Sequence, residues 1–409
     1  MPAAPSDHLL TGLRVLECAS FVAGPSGCMA LGQLGADVIR IDPLGGAADY
    51  HRWPVSIRTG ESIYWASLNK GKRSVAVDLH SDEGKDLVLG LATAPGPQSG
   101  IVVDNNVGRP WLSYDALTSR RADVIQVHIQ GHADGRPAVD YTVNAEVGVP
   151  TITGPVGGSE PVNHVLPAWD LLTGLTATTG LLAALRRRDH DGSGSYLEVA
   201  LADVALAGVA NLGWLSEVAE QGSDRPRHGN HVYGSFGVDF ATRDGERVMV
   251  VALTARQWDA LRCVTNNEKV FLALEDALGV DLRRENDRYE LRETIAAILR
   301  PWFTSRDLAD VRQELDAAQV LWSRYRTMVQ AVDHFRSHPG PSVLADIDQP
   351  GIGRVLTARS PIRVAEQYGD ALRAPRLGEH TDEVLAEVLG LDGPELGRLH
   401  DRGVLGSAP

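Results

Sequence analysis

Short apolar runs separated by glycine-containing breaks dominate the N-terminal third of the chain. Leu13 to Cys18, Asp37 to Ile41, Ser74 to Leu79, Gly100 to Asp104 and Asp123 to Ile129 each have the length and β-branched content of a buried strand. Phe21 to Pro25 reads as a turn with Pro25 at the first helical position, and Ser26 to Leu34 as a helix stopped by Gly35. Strand, helix and strand form a compact βαβ unit, the opening of a parallel sheet. The unit lacks the G-x-G-x-x-G pattern, so it does not support a nicotinamide-type dinucleotide site.

The pattern changes at Asp170. Leu171 to Leu185 carries Leu, Ala, Thr and Gly with no charge, and Arg186, Arg187, Arg188 and Asp191-Gly192 follow. This predicts a buried helix with Asp170 as its N-cap, cations in its last turn and a glycine stop. Tyr196 to Leu201 then reads as a strand and Ala202 to Ala219 as one helix. Asp170 has two readings on local pattern. A carboxylate caps a helix by accepting orphan amide protons. The same amides and the helix dipole would keep it ionised, and an ionised carboxylate is a nucleophile toward an activated acyl group. Local pattern does not separate the two.

Beyond Ala219 the loop from Arg225 to Gly237 has the length of a lid or crossover. It holds His228 and His231, with no carboxylate or cysteine at ligand spacing, so no metal is expected. Arg247 to Leu253 reads as a strand, and helix patterns dominate from Thr254 to about Gln330, as in a second, smaller α+β domain. His338-Pro-Gly-Pro341 marks a boundary, and Thr381 to Leu389 has the pattern of an amphipathic helix. The expected division is residues 1–225, 226–340 and a C-terminal segment, 341–409, returning to the large domain.

Charge and cysteine usage narrow the partners. The 409 residues carry a formal net charge of -14, which disfavours nucleic acid and anionic membrane surfaces. Three cysteines, Cys18, Cys28 and Cys263, form no disulfide framework or metal spacing and suit a reducing, cytoplasmic compartment. No signal peptide is visible at the N-terminus, and no uncharged apolar run approaches ~20 residues, so no membrane span is expected. An anionic small ligand needs only a local cluster of cations. Lys70, Lys72 and Arg73 form one beside a strand, readable as a solvated turn or as a phosphate-facing patch. Asn105, Gln130 and His132 fall at strand C-termini, where open α/β sheets bind ligands.

Four stretches then match one family in the same order. FVAGPSGCMALGQLGADVIRIDP, NKGKRSVAVDL, LPAWDLLTGLTATTGLLAALRRRDHDGSGSYLEVALADV and LGEHTDEVLAEVLGL resemble signatures of the class III CoA-transferases, also called the CaiB/BaiF family. The resemblance spans about Leu13 to Val404. It implies a Rossmann-like α/β large domain with a parallel sheet, a smaller α+β domain, and two chains interlocked as a homodimer. It places Asp170 at the nucleophile position. It implies coenzyme A contacts at Val22 and Ala23, at Val77, Asp78, Leu79 and His80, at Asn105, Asn106 and Val107, and at Gln130, Gly131, His132 and Ala133. A family arginine near the adenosine phosphates falls at about Pro43, so that contact is expected from Arg40, Lys72, Arg73 or Arg109.

Departures narrow the activity. Val22 stands where formyl-CoA transferases carry Gln, and Val139 where the racemase branch carries a His before its Asp. The glycine-rich lid of some relatives is shortened to Gly229 to Gly237. RIDPLGGAADYHRWPV, VDYTVNAEVGVPTITGP and VNHVLPAWD resemble a branch that moves CoA between the two carboxyls of a short unsaturated dicarboxylate within one molecule. Transfer between two different carboxylic acids is the alternative, and a catalytically dead CoA-binding scaffold the alternative from another class. Arg52, Asn163, His164, Arg227 and His231 are the candidates for holding the spare carboxylate. Val162, Val165 and Leu166 are candidates for an apolar recess. No cofactor is expected beyond coenzyme A as part of the substrate.

Overall fold

The structure, a computed structural model, describes residues 8–105, 109–338 and 340–406. Asn106 and Val107 lie outside them. The chain divides into two compact units, one of residues 1–147, 164–220 and 340–409, the other of 148–163 and 221–339.

In the first unit the apolar runs form β1 (Arg14–Cys18), β2 (Asp37–Pro43), β3 (Arg73–Val77), β4 (Ile101–Asp104), β5 (Ile125–Gln130) and β6 (Ser195–Ala200). These six strands are parallel, in the order β3-β2-β1-β4-β5-β6, and the C-terminal strand Leu405–Gly406 adds antiparallel to β3. Because side chains alternate across a strand, each run feeds two cores. Val15, Val38, Ile101, Val103, Ile125, Val127 and Ile129 point to one face, and Leu16, Ile39, Val75, Val77 and Val102 to the other.

Two helices cover the first face. The first helix is Ala23–Gln33, so Pro25 stands at its third position, two residues later than the sequence suggested. The central helix is Ala168–Asp191, ending at Gly192 in the left-handed conformation. The two touch backbone to backbone. A Cβ at Gly174 would lie 2.5 Å from the carbonyl oxygen of Ala23, and one at Gly27 would lie 2.6 Å from that of Gly174. Only glycine permits that approach, and it holds the start of the central helix beside the start of the first.

The central helix is not buried all round, as its sequence implied. Ala177, Leu181, Ala184 and Leu185 enter the core, while Leu172 and Leu175 are exposed. By length and composition alone this helix is long and apolar enough to cross a membrane, a test that the core helix of a globular domain also passes. Its packing here is a stripe against the sheet. The single helix expected over Ala202 to Ala219 is two, Leu201–Asn211 and Trp214–Gln221, bent by 66° where Gly213 takes a positive φ.

The second unit has a three-stranded antiparallel sheet of Phe236–Ala241, Arg247–Ala252 and Leu321–Arg324. Helices bury Trp258, Phe271, Leu299 and Phe303 against it. Residues 148–163, assigned from sequence to the large domain, belong here. The Arg227 guanidinium donates to the carbonyls of Thr151, Ser159 and Glu160, which fixes the segment to this unit.

Candidate active site

Asp170 is not the N-cap. That position is Pro167, which has no side-chain acceptor, and Asp170 is the third residue of the helix. The capping carboxylate comes instead from Asp140, in the first turn of the helix Asp140–Glu146. Its Oδ2 accepts from the amides of Trp169 (2.8 Å) and Asp170 (3.1 Å), and its Oδ1 pairs with His164 Nε2 at 2.8 Å. The Trp169 indole donates to Asn144 Oδ1 at 3.0 Å and fixes the same two helices to each other.

With its backbone amide satisfied from elsewhere, the half-buried Asp170 carboxylate accepts no hydrogen bond from the described residues. Burial and the neighbouring Asp140 charge push it up to about 6, against the pull of Arg52. The sequence reading expected amide donors and the helix dipole to hold it ionised. The structure reverses that direction, because burial and then the Asp140 charge disfavour the ionised form, and the first-turn amides that could have favoured it are bonded to Asp140. At neutral pH the group is still mostly ionised, and it is more basic than an ordinary aspartate.

Arg52 sits beside it without forming an ion pair. Its guanidinium lies 5.4 Å from the ring centroids of both Phe21 and Tyr64. Its side chain makes no hydrogen bond or ion pair among the described residues. Phe21 is held at φ 70 while its amide donates to Asp49 Oδ2 at 2.8 Å. Burial pushes the Tyr64 phenol up to about 12, and the Asp170 charge adds to that. The site is thus an unbonded carboxylate, a cation fixed by two ring faces, and a neutral phenol.

The other candidates separate under their contacts. Arg40 and Lys72 are corrected: neither faces a phosphate. Arg40 is fully buried against Glu17, Asp42 and Asp49 at 2.9–3.1 Å, and Lys72 is buried against Glu17 at 2.6 Å. Arg73 is occupied by Asp37, Glu383 and Glu387. Lys70 gives its ammonium to the Ala358 carbonyl at 2.9 Å. Two of the three cations of this run, Lys70 and Lys72, are therefore turned inward, where a carbonyl or a carboxylate compensates each. Among the cations proposed for the phosphates, Arg109 lies in a cleft. It borders a cavity of about 250 Å³ with Ser20, Pro43, Ala48 and Leu79, at the C-terminal end of the sheet.

The remaining coenzyme candidates surround or support that end of the sheet. Val22 and Ala23 are buried at the start of the first helix, and Asn105 accepts from the Ser20 amide and donates to its carbonyl. Val77 is buried in β3, Asp78 donates its amide to Val404, and its carboxylate accepts from the amide of the exposed His80. Gln130 ends β5. Gly131 lies where a Cβ would meet the Ala138 amide nitrogen at 2.3 Å. His132 is buried, with Glu146 3.5 Å away, and Ala133 is exposed.

Three candidates for the spare carboxylate are otherwise engaged. His164 pairs with Asp140, and Arg227 serves three backbone carbonyls. His231 Nε2 lies 3.1 Å from Glu293. Asn163 and Val162 are exposed in the second unit; Val165 and Leu166 are exposed just ahead of the central helix. Among the described residues no group of three or more His, Cys, Asp or Glu is arranged to hold a metal. Sequence reasoning missed Asp140 as a cap, and Phe21 and Tyr64 as the holders of Arg52. No local pattern connects residues so far apart along the chain.

A half-buried carboxylate without a hydrogen-bond partner among the described residues is chemically able to act as a nucleophile toward an activated acyl group. The family pattern of CoA-transferase family III matches residues 10–381, and the chain belongs to that family. It is an enzyme of the CoA-transferase type, acting on an acyl-CoA. It is 50% identical over 97% of its length, and 98% of the relative's, to 2-methylfumaryl-CoA isomerase of Chloroflexus aurantiacus. It is 29% identical to succinyl-CoA:mesaconate CoA-transferase of Haloarcula marismortui, over 94% of this chain and 97% of that one. A CaiB/BaiF family protein from Brucella suis shares the fold at TM-score 0.74 and 24% identity, over 93% of this chain and 100% of that one.

Proposed function

We propose that this enzyme moves CoA between the two carboxyls of 2-methylfumarate, converting 2-methylfumaryl-CoA to 3-methylfumaryl-CoA within one molecule. The observation that carries the reading is the free Asp170 carboxylate beside the ring-held, unpaired Arg52. The 50% identity to an isomerase of that substrate supports it.

In this reading Asp170 attacks the thioester carbonyl, the C–S bond breaks, and CoA leaves as a thiolate while a mixed anhydride forms. The thiolate attacks the aspartyl carbonyl, giving an aspartyl-CoA thioester and a free dicarboxylate. The other carboxylate attacks that thioester, releasing thiolate and forming the second anhydride. The thiolate then attacks the substrate's acyl carbonyl, and Asp170 returns as a carboxylate. Covalent relay replaces direct exchange between two poor nucleophiles. Retaining both halves gives the second carboxylate a high effective concentration. Arg52 serves whichever carboxylate is not reacting, and the Phe21 and Tyr64 faces spare it the entropy of being ordered. Arg109 is the cation proposed for the CoA phosphates. CoA enters as part of the substrate, and the reading calls for no further cofactor.

A second copy of the chain, interlocked with the first in the cytoplasm, belongs to this proposal. The exposed Leu172, Leu175, Leu206 and Leu215 on the helices of the first unit, and Leu212 in the turn between two of them, support it.

The test uses 2-methylfumaryl-CoA labelled in its free carboxylate with a large excess of unlabelled 2-methylfumarate. Undiluted label in the isomer is expected. Dilution toward the pool value would assign transfer between molecules, the activity named for the 29%-identical relative.

A further inference from the structure

An aspartate in the first turn of a helix ordinarily lowers its own reactivity. Its carboxylate folds back on the free amides of that turn, which stabilise the charge and occupy the lone pairs. The central helix is wired differently. The Ala168 amide donates to Leu166 O at 2.7 Å, and the Leu171 amide to Pro167 O at 3.2 Å. The two amides between them both go to Asp140 Oδ2. All four N-terminal amides are therefore satisfied without Asp170.

Asp140 is 2% exposed and itself fully engaged, with His164 on its second oxygen. Its charge lies behind the Asp170 backbone. The groups acting on Asp170 are Asp140 from the helix Asp140–Glu146, Arg52 from the loop after β2, and Tyr64 from the helix Ile63–Leu68, while Tyr141 acts on Tyr64 and His164 holds the other oxygen of Asp140. Asp140 is the acid among them. Burial is the larger contribution to the raised Asp170 value, and Asp140 the next.

We propose that Asp140 is the positioning residue of the nucleophile. It caps the central helix in place of Asp170, frees the Asp170 carboxylate for attack, and by like-charge repulsion favours the acylated, neutral state of Asp170. This rests on Asp170 being the nucleophile. Asp140 touches neither substrate nor coenzyme in this role and acts through Asp170 alone.

Asp140→Asn and Asp140→Ser keep an oxygen acceptor for the two amides and remove the charge, while Asp140→Glu keeps the charge. The readouts are the acid limb of kcat/KM, which reports free-enzyme ionisation, and hydroxylamine trapping of the aspartyl thioester. Wild type is expected to show its acid limb near pH 6 and a trapped adduct at Asp170. The neutral variants should keep the fold and the adduct, move the limb down by about one pH unit, and lose severalfold in plateau kcat. Asp140→Glu should keep the limb near its wild-type position. An unmoved limb in the neutral variants, with the adduct still formed, would overturn this inference and leave the nucleophile assignment standing. No adduct in wild type would overturn both. Loss of the fold in both neutral variants, but not in Asp140→Glu, would make the residue structural only and overturn it as well.

Discussion

Arg40 and Arg52 belong to the same stretch of chain, one inside β2 and one in the loop after it, and they have opposite environments. Arg40 is fully buried and meets Glu17, Asp42, Asp49 and Asn69. Every direction of its guanidinium fork is answered, and with Lys72 it forms a closed cluster of two cations and three acids. Arg52 is exposed and answered only by two ring faces, with Asp170 nearby and out of contact. The first arrangement spends its electrostatics on the fold. The second leaves a cation and a carboxylate uncommitted, which is what the proposed reaction calls for. The position of a charge along the chain does not distinguish them; how it is compensated does.

The sharpest way to break the contrast is at the nucleophile. Asp170→Ala should lower turnover by at least about a thousandfold with CoA binding and fold retained. If Asp170 were dispensable, steady-state kinetics would show more than about a tenth of wild-type activity.

Next comes the closed cluster. Arg40→Leu strands Glu17, Asp42 and Asp49 in the core and should cost about 3–5 kcal/mol, read from the urea midpoint. A neutral effect would mean that the acids are protonated or hydrated when the arginine is gone.

Arg52→Ala should behave in the opposite way. Stability should stay within about 0.5 kcal/mol of wild type, while kcat/KM falls about 10- to 100-fold through loss of the carboxylate partner. Equal losses of stability and activity would place Arg52 with Arg40.

The smallest effect concerns pH. A carboxyl whose folded value is raised stabilises the fold while protonated and loses that contribution as pH rises through the folded value, here about 6. Asp170→Asn should therefore raise the thermal midpoint at pH 8, corresponding to about 1–2 kcal/mol after allowance for solvent, and leave it unchanged at pH 4. A midpoint unchanged at both would show that Asp170 is not destabilised by its surroundings.

The elements of the parallel sheet were legible in the residues because apolar periodicity and glycine breaks are local signals. β1, β2, β4 and β6 fall within two residues of where those signals put them, and Thr381–Leu389 falls on its predicted ends. Asp170 stood out for the same reason, as a lone acid before an uncharged apolar run. What local signals could not carry was partnership. Whether Lys72 meets a phosphate or Glu17 depends on which face of β3 lies over β1 and β2, and that is settled only when the strands pair. The cap of the central helix, supplied by Asp140, and the two rings holding Arg52 likewise join residues distant along the chain. The sequence by itself determined the strands, the helix and the lone acid at its start. The tertiary structure decided which charges are compensated, because compensation requires contact and contact between distant residues exists only in the fold.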